Sequence, residues 1–185
     1  MTQQHLATDF LERSCYYLGT EYPAKIRAAV RTIPEDRIWW RPNERANSAG
    51  NLLLHLAGNV RQWIVSGVGG APDVRRRDTE FSATGASGPT RVWLLGNLDA
   101  ACAQAVHVLR TLSASSLQEP RQIQGRETTV FTAVYHVVEH FSGHTGQLIL
   151  IAKWLTPDSV RFYDDRDGLA RPLFLDGGSD MGGGR

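Results

Sequence analysis

The hydrophobic positions of this chain recur at helical rather than strand spacing, and they fall into four long blocks. The first runs from Thr2 to Thr32, with Leu6, Phe10, Tyr17 and Leu18 near one face. Pro23 interrupts it, which predicts a kink or a helix in two pieces, because proline removes a backbone donor and crowds the preceding turn. The block ends at Ile33-Pro34. Residues 34–46 read as a loop carrying Trp39-Trp40-Arg41-Pro42, paired tryptophans suited to sealing a core edge. Asn47 or Ser48 can cap the next helix. That helix runs through Leu52-Leu53-Leu54-His55-Leu56 to about Ser66, and Gly67, Gly69, Gly70 and Pro72 stop it.

Residues 68–88 are polar and glycine-rich, a long loop of the kind that borders sites. Pro89 fits the first turn of a third helix, which carries Trp93, Leu94, Leu98, Cys102, Ala105 and Leu109. A serine-rich connection follows Leu112, and Arg121 to Thr128 can form a small hairpin around Gly125. The fourth helix extends from about Thr129 to Leu155, stopped by Pro157; at 1.5 Å per residue it is ~40 Å long. Beyond it, residues 157–185 hold six of the eighteen glycines, and the last ten should be loose. No internal repeat is visible. The expected fold is all-α, an up-and-down-type four-helix bundle over residues 1–156, with a partly disordered C-terminal extension over 157–185.

Composition narrows the function. The chain has 185 residues, 42% of them hydrophobic, enough for a sizeable core. Twenty basic against nineteen acidic residues leave a formal charge of +1, which argues against nucleic acid and against a polybasic membrane anchor. Only Lys25 and Lys153 among the basic residues are lysines, and the sole arginine run, Arg75-Arg76-Arg77, reads as a solvated loop. The longest purely apolar run, Leu148 to Ala152, is far short of a membrane span. Met1-Thr2-Gln3-Gln4-His5 lacks the basic and apolar regions of a leader, so a soluble cytoplasmic protein is expected. Two cysteines, Cys15 and Cys102, make neither a disulfide framework nor a thiolate zinc site and read as small core residues.

The candidate chemistry lies in histidines. His136, His140 and His144 are spaced i, i+4, i+8 and therefore stack along one face of the fourth helix. Ala133, Gln147, Ile151 and the flanking Val137 and Leu148 make that stripe mostly apolar, so it should face the bundle interior. Buried imidazoles need partners, and a metal ion satisfies several at once. A His-x-x-x-His pair on adjacent turns can chelate one ion, and His55 can add a third nitrogen from the facing helix. Three protein ligands plus water make an open site of the catalytic type. The alternative is a set of separately satisfied histidines. Two known zinc motifs fail: Phe141 replaces the glutamate of the zincin pattern in His140-Phe141-Ser142-Gly143-His144, and the inverted motif His136-Val137-Val138-Glu139-His140 lacks any later glutamate.

His55-Leu56-Ala57-Gly58-Asn59 in the second helix, joined with His140-x-x-x-His144-Thr145-Gly146-Gln147 in the fourth, resembles the DinB-like (damage-inducible, YfiT-like) superfamily. The order Trp39-Trp40-Arg41-Pro42, Asn47-Ser48, Asn51-Leu52-Leu53-Leu54-His55 is similar to one of its bacterial branches, and the match covers roughly residues 5–156. The resemblance implies a four-helix bundle with a divalent metal, zinc or nickel first and iron after them, held by His55, His140 and His144. His136 matches no usual ligand and reads as a supporting or core residue. Many relatives carry arginine directly after the last ligand where this chain has Thr145, which separates it from their way of binding an anionic group. Asn51, Asn59 and Gln147, one turn from the ligands, can orient ligands or water, or simply bond between helices.

Two function classes follow. One is a metalloenzyme activating a small thiol or water for transfer to an electrophilic substrate, since the resembled superfamily includes low-molecular-weight-thiol transferases. The other is a metal-stabilised bundle acting as a binding or stress-response module. No carboxylate beside the histidines in the motif offers a general base, and no catalytic residue can be named. The resemblance also implies a homodimer.

Overall fold

The computed structural model describes residues 3–159 and 161–175, and within them the four blocks are helices. Helix α1 (Gln3–Tyr16) continues through a π-helical turn (Tyr17–Glu21) into α2 (Tyr22–Thr32) without leaving helical dihedrals. Pro23 sits in the first turn of α2. The expected break is therefore a bulge: the extra residue of the π turn makes room for the proline ring and its missing donor.

Helix α3 (Ala49–Val60) starts at a reciprocal cap. The Ser48 side chain accepts from Asn51 N at 3.1 Å, and Asn51 Oδ1 accepts from Ser48 N at 3.1 Å. It runs on as a π-helical segment (Arg61–Val68), so the rod is as long as the hydrophobic pattern indicated. The loop expected over 68–88 contains a short helix, α4 (Arg77–Ser82). Helix α5 (Arg91–Thr111) is capped by Thr90, one residue after Pro89. Helix α6 (Val130–Leu155) is capped by Thr129.

Between α5 and α6, strands β1 (Pro120–Ile123) and β2 (Arg126–Thr129) form the expected hairpin. Its two-residue turn puts both Gln124 (φ 54°) and Gly125 (φ 72°) in the left-handed region, as a tight hairpin requires. Ile123 fills the space beside Gly67, where an added Cβ would lie 2.4 Å from its side chain.

The main packing joins α2 to α6, α1 and its π turn to α5, and α3 to both α5 and α6. The chain thus passes between helices that do not pair closely when it goes from α2 to α3 and from α5 to α6. Ile26, Leu53, Leu56, Leu98, Val137 and Phe141 lie at the centre, essentially excluded from solvent. Each such side chain contributes about 1.5–3 kcal/mol. Helix α5 is long and apolar enough to span a membrane by length and composition alone. Here it is a core helix, with Leu94, Leu98, Cys102 and Leu109 buried in the bundle.

After Leu155 the chain folds back. Strands β3 (Tyr163–Asp164) and β4 (Arg171–Pro172) pair antiparallel, and Lys25 Nζ lies 5.0 Å above the Phe174 ring. The part of the extension in residues 161–175 is therefore packed on α2, while the last ten residues, expected to be loose, lie outside the described residues.

Candidate metal centre

Helix α3 and helix α6 face each other, and their histidines meet. The ligand atoms of His55, His140 and His144 all lie within 4.8 Å of one another. His140 Nε2 stands 3.0 Å from His55 Nε2. The His144 ring lies 5.1 Å from that of His55 and 4.4 Å from that of His140, centroid to centroid. The intrahelical spacing of four places His140 and His144 on adjacent turns, and the α3–α6 contact supplies His55. His55 is buried, and the other two are half-buried.

Hydrogen bonds on the outer side of the rings orient them. His144 Nδ1 lies 2.8 Å from Gln147 Oε1, an acceptor, so Nδ1 carries the proton and Nε2 is left with its lone pair. His55 Nδ1 lies 2.9 Å from Glu80 Oε2, also an acceptor, and its Nε2 is likewise left free toward His140. Burial lowers the pKa of all three α6 histidines. His140 falls to about 3, through burial first and then the neighbouring imidazoles His144, His55 and His136 with Arg75. For His144 burial prevails over the opposing bond from Gln147, and for His136 burial prevails over Glu139. The α6 histidines are therefore favoured as neutral imidazoles near neutral pH, the protonation state in which imidazole binds a cation.

The donor set fits a divalent ion. The Nε2 atoms of His55 and His140 stand 3.0 Å apart, a contact satisfied either by a proton on His140 Nε2 or by a cation between them. Further polar atoms on the same two helices lack protein partners among the described residues: Asn59 Oδ1, Trp63 Nε1 and Thr145 Oγ1 are buried and unbonded. An interior that keeps such groups is built to hold water or an ion as well as side chains.

The remaining candidates divide. Gln147 touches His144. His136 packs against Trp63 at 4.3 Å between ring centroids, the planes tilted by 46°, and its ring lies 5.5 Å from that of His140, so it borders the cluster without joining it. Asn59 is buried one turn from His55. Asn51 bonds elsewhere: beyond its cap with Ser48, its Nδ2 donates to the backbone carbonyls of Glu80 at 2.8 Å and Ala83 at 3.0 Å. It thereby pins α4 against α3. Thr145 is buried in the bundle, so the position held by arginine in many relatives faces the core here.

Two expectations are corrected. Arg75 does not belong to a solvated run: its side chain is 4% exposed, and Nε donates to Glu80 Oε1 at 2.7 Å. Its Nη2 donates to Glu80 Oε2 at 2.8 Å and its Nη1 to Gln62 Oε1 at 2.9 Å. There is also a carboxylate beside His55, Glu80, which the motif did not contain. Burial alone would raise its pKa, yet the bonds from Arg75 and His55 hold it below the usual carboxylate range. It lies 25 residues beyond His55 in a stretch without periodicity, and the single sequence signal was an acidic residue among the arginines of the loop.

A three-histidine cluster between two helices of an all-α bundle marks a DinB-like fold with a candidate metal centre. Solved structures agree on the fold. A DinB-like protein from Bacillus subtilis, YjoA, superposes with a TM-score of 0.60 at 17% identity, covering 81% of this chain and 96% of that one. A DinB-like protein from Bacillus cereus gives 0.55 at 14% identity, covering 74% and 91%. The chain belongs to the family described as "Protein of unknown function (DUF1572)", whose model matches residues 5–163. No curated protein matches it.

Proposed function

We propose that this protein is a metal-dependent enzyme whose divalent ion, zinc or nickel before iron, is held by His55, His140 and His144. The observation that carries this reading is the convergence of three imidazoles, with ligand atoms within 4.8 Å of one another. Three protein nitrogens leave coordination positions for water and substrate, as catalytic sites do and closed structural sites do not. When bound, such an ion supplies Lewis-acid activation of a thiol or water near neutral pH. The chain's own part is to hold the nitrogens deprotonated and aimed. Burial keeps protons off His140, Gln147 orients His144, and the packed pair His136 and Trp63 closes one side of the cluster.

Among the described residues Glu80 is the carboxylate bonded to the cluster, and Glu139 acts on His136 and His144 only through space. Glu80 is committed to Arg75 and His55, so it is not a mobile proton carrier. That favours transfer of a small thiol to an electrophile over amide hydrolysis, where the leaving amine needs a proton donor. Both cysteines are free thiols, in keeping with a reducing cytoplasm. A homodimer belongs to the same reading, and α6 carries exposed Phe131, Tyr135 and Trp154 that a second copy can cover.

The test has two stages. Elemental analysis of protein purified without a nickel column should find one divalent ion per chain. Turnover of a model electrophile with several small thiols should then depend on the metal and on the thiol. One ion per chain with equal rates before and after chelation selects the non-catalytic, metal-stabilised module. No ion at all refutes both.

A further inference from the structure

We propose that Glu80 is a positioning residue for His55: clamped by Arg75 and admitted by Gly58, it fixes the imidazole tautomer that turns Nε2 toward the metal centre. The inference rests on the reading of His55 as a ligand, and it assigns a role to the loop segment around α4.

The geometry is a chain of committed bonds. Both carboxylate oxygens of Glu80 accept from Arg75, at 2.7 and 2.8 Å, and Oε2 also lies 2.9 Å from His55 Nδ1. An ionised carboxylate can only accept, so the hydrogen of that contact belongs to His55 Nδ1. Arg75 Nη2 approaches the same nitrogen at 3.1 Å, but both are donors, and they share Oε2 as acceptor. With Nδ1 protonated, the lone pair of the neutral ring is on Nε2, the atom that faces His140. A carboxylate behind a ligating histidine also raises its basicity toward the metal.

Two independent features hold this carboxylate in place. The Asn51 amide grips the Glu80 carbonyl, fixing the backbone from which the side chain reaches. Gly58 opens the path across α3: a Cβ there would lie 2.1 Å from Glu80 Oε1 and 3.0 Å from Arg75 Nε. Glycine in mid-helix is unfavourable relative to alanine. Its presence one turn from His55 is accounted for by the ion pair lying across it.

Two variants test the role, Glu80→Gln and Gly58→Ala. In the first, both Arg75 donors compete for one amide oxygen, which turns the amide N–H groups toward His55 and favours the opposite tautomer. In the second, the added methyl displaces the carboxylate while improving helix propensity, so the variant remains informative if Glu80→Gln fails to fold. The readouts are the ring ¹⁵N shifts of His55 in metal-free protein and Zn²⁺ affinity by competition with a chromophoric chelator. The expected result is loss of the Nδ1–H signature in both variants, with affinity reduced about 10–100-fold. Wild-type tautomer and affinity in both variants would overturn the proposal, and so would a fall in affinity with the tautomer unchanged. If the wild type itself binds no zinc, the metal reading fails, while the tautomer comparison still decides the role of Glu80.

Discussion

Replacing His144 with alanine separates a ligand from a core residue, because the two roles predict opposite responses to metal. Each nitrogen of the cluster contributes through proximity to the other two, all within 4.8 Å. Removing one leaves a two-histidine remnant with a weaker chelate. Ligand binding to the folded state stabilises it by RT ln(1 + [L]/Kd), about 2.7 kcal/mol at a hundredfold excess over Kd. For a domain of this size each kcal/mol is worth roughly 2–4 °C, so metal should raise the melting temperature of the wild type by about 5–11 °C. A hundredfold loss of affinity in His144→Ala would leave about 0.4 kcal/mol at the same metal concentration, or about 1–2 °C. The metal-free variant should melt close to the metal-free wild type, since His144 is half-buried and its side-chain hydrogen bond is to the exposed Gln147. The assay is thermal denaturation by circular dichroism in chelator and in zinc at a fixed concentration. An equal metal-induced shift in both proteins would refute the triad. A large loss of stability in chelator with the metal response intact would reassign His144 to packing.

Further outcomes follow from the fold. Gly50→Ala and Gly88→Ala should each cost about 1–3 kcal/mol by overpacking, because an added Cβ would meet the Trp39 ring at 2.7 and 2.1 Å; unchanged denaturant midpoints would contradict that seat for the indole. Cys102 is buried, and burial pushes its thiol up to about 12, so at pH 8 it should resist a disulfide reagent until the protein unfolds. Two thiols reacting at equal rates in the native state would disprove its burial. Light scattering at micromolar concentration should show twice the 20.5 kDa chain mass, and a monodisperse monomer would remove the dimer from the proposal.

What the chain announced about itself was whatever depends on short separations. Helical periodicity marked the four rods, Gly125 marked the hairpin turn, and intervals of four put His136, His140 and His144 on one face. A helix converts spacing into direction at a fixed rate, so these relations survive any tertiary arrangement. The two π segments were not visible, because a bulge is a backbone response to packing and to Pro23 and not a composition of its own. Three histidines in one stripe left open which pair would face His55; the α3–α6 contact turned His140 and His144 inward and set His136 against Trp63. Arg75 and Glu80 were the least legible of all. Charged residues in a polar loop look solvated by every local rule, and burial suits them only when each finds the other together with His55. That meeting depends on the path of the loop from Gly69 to Thr90, on the absent side chain of Gly58 and on the grip of Asn51, which are contacts between distant parts of the chain. The pairing of His140 with His144 could be read from one helix; the carboxylate that bonds His55 could be placed only by the fold.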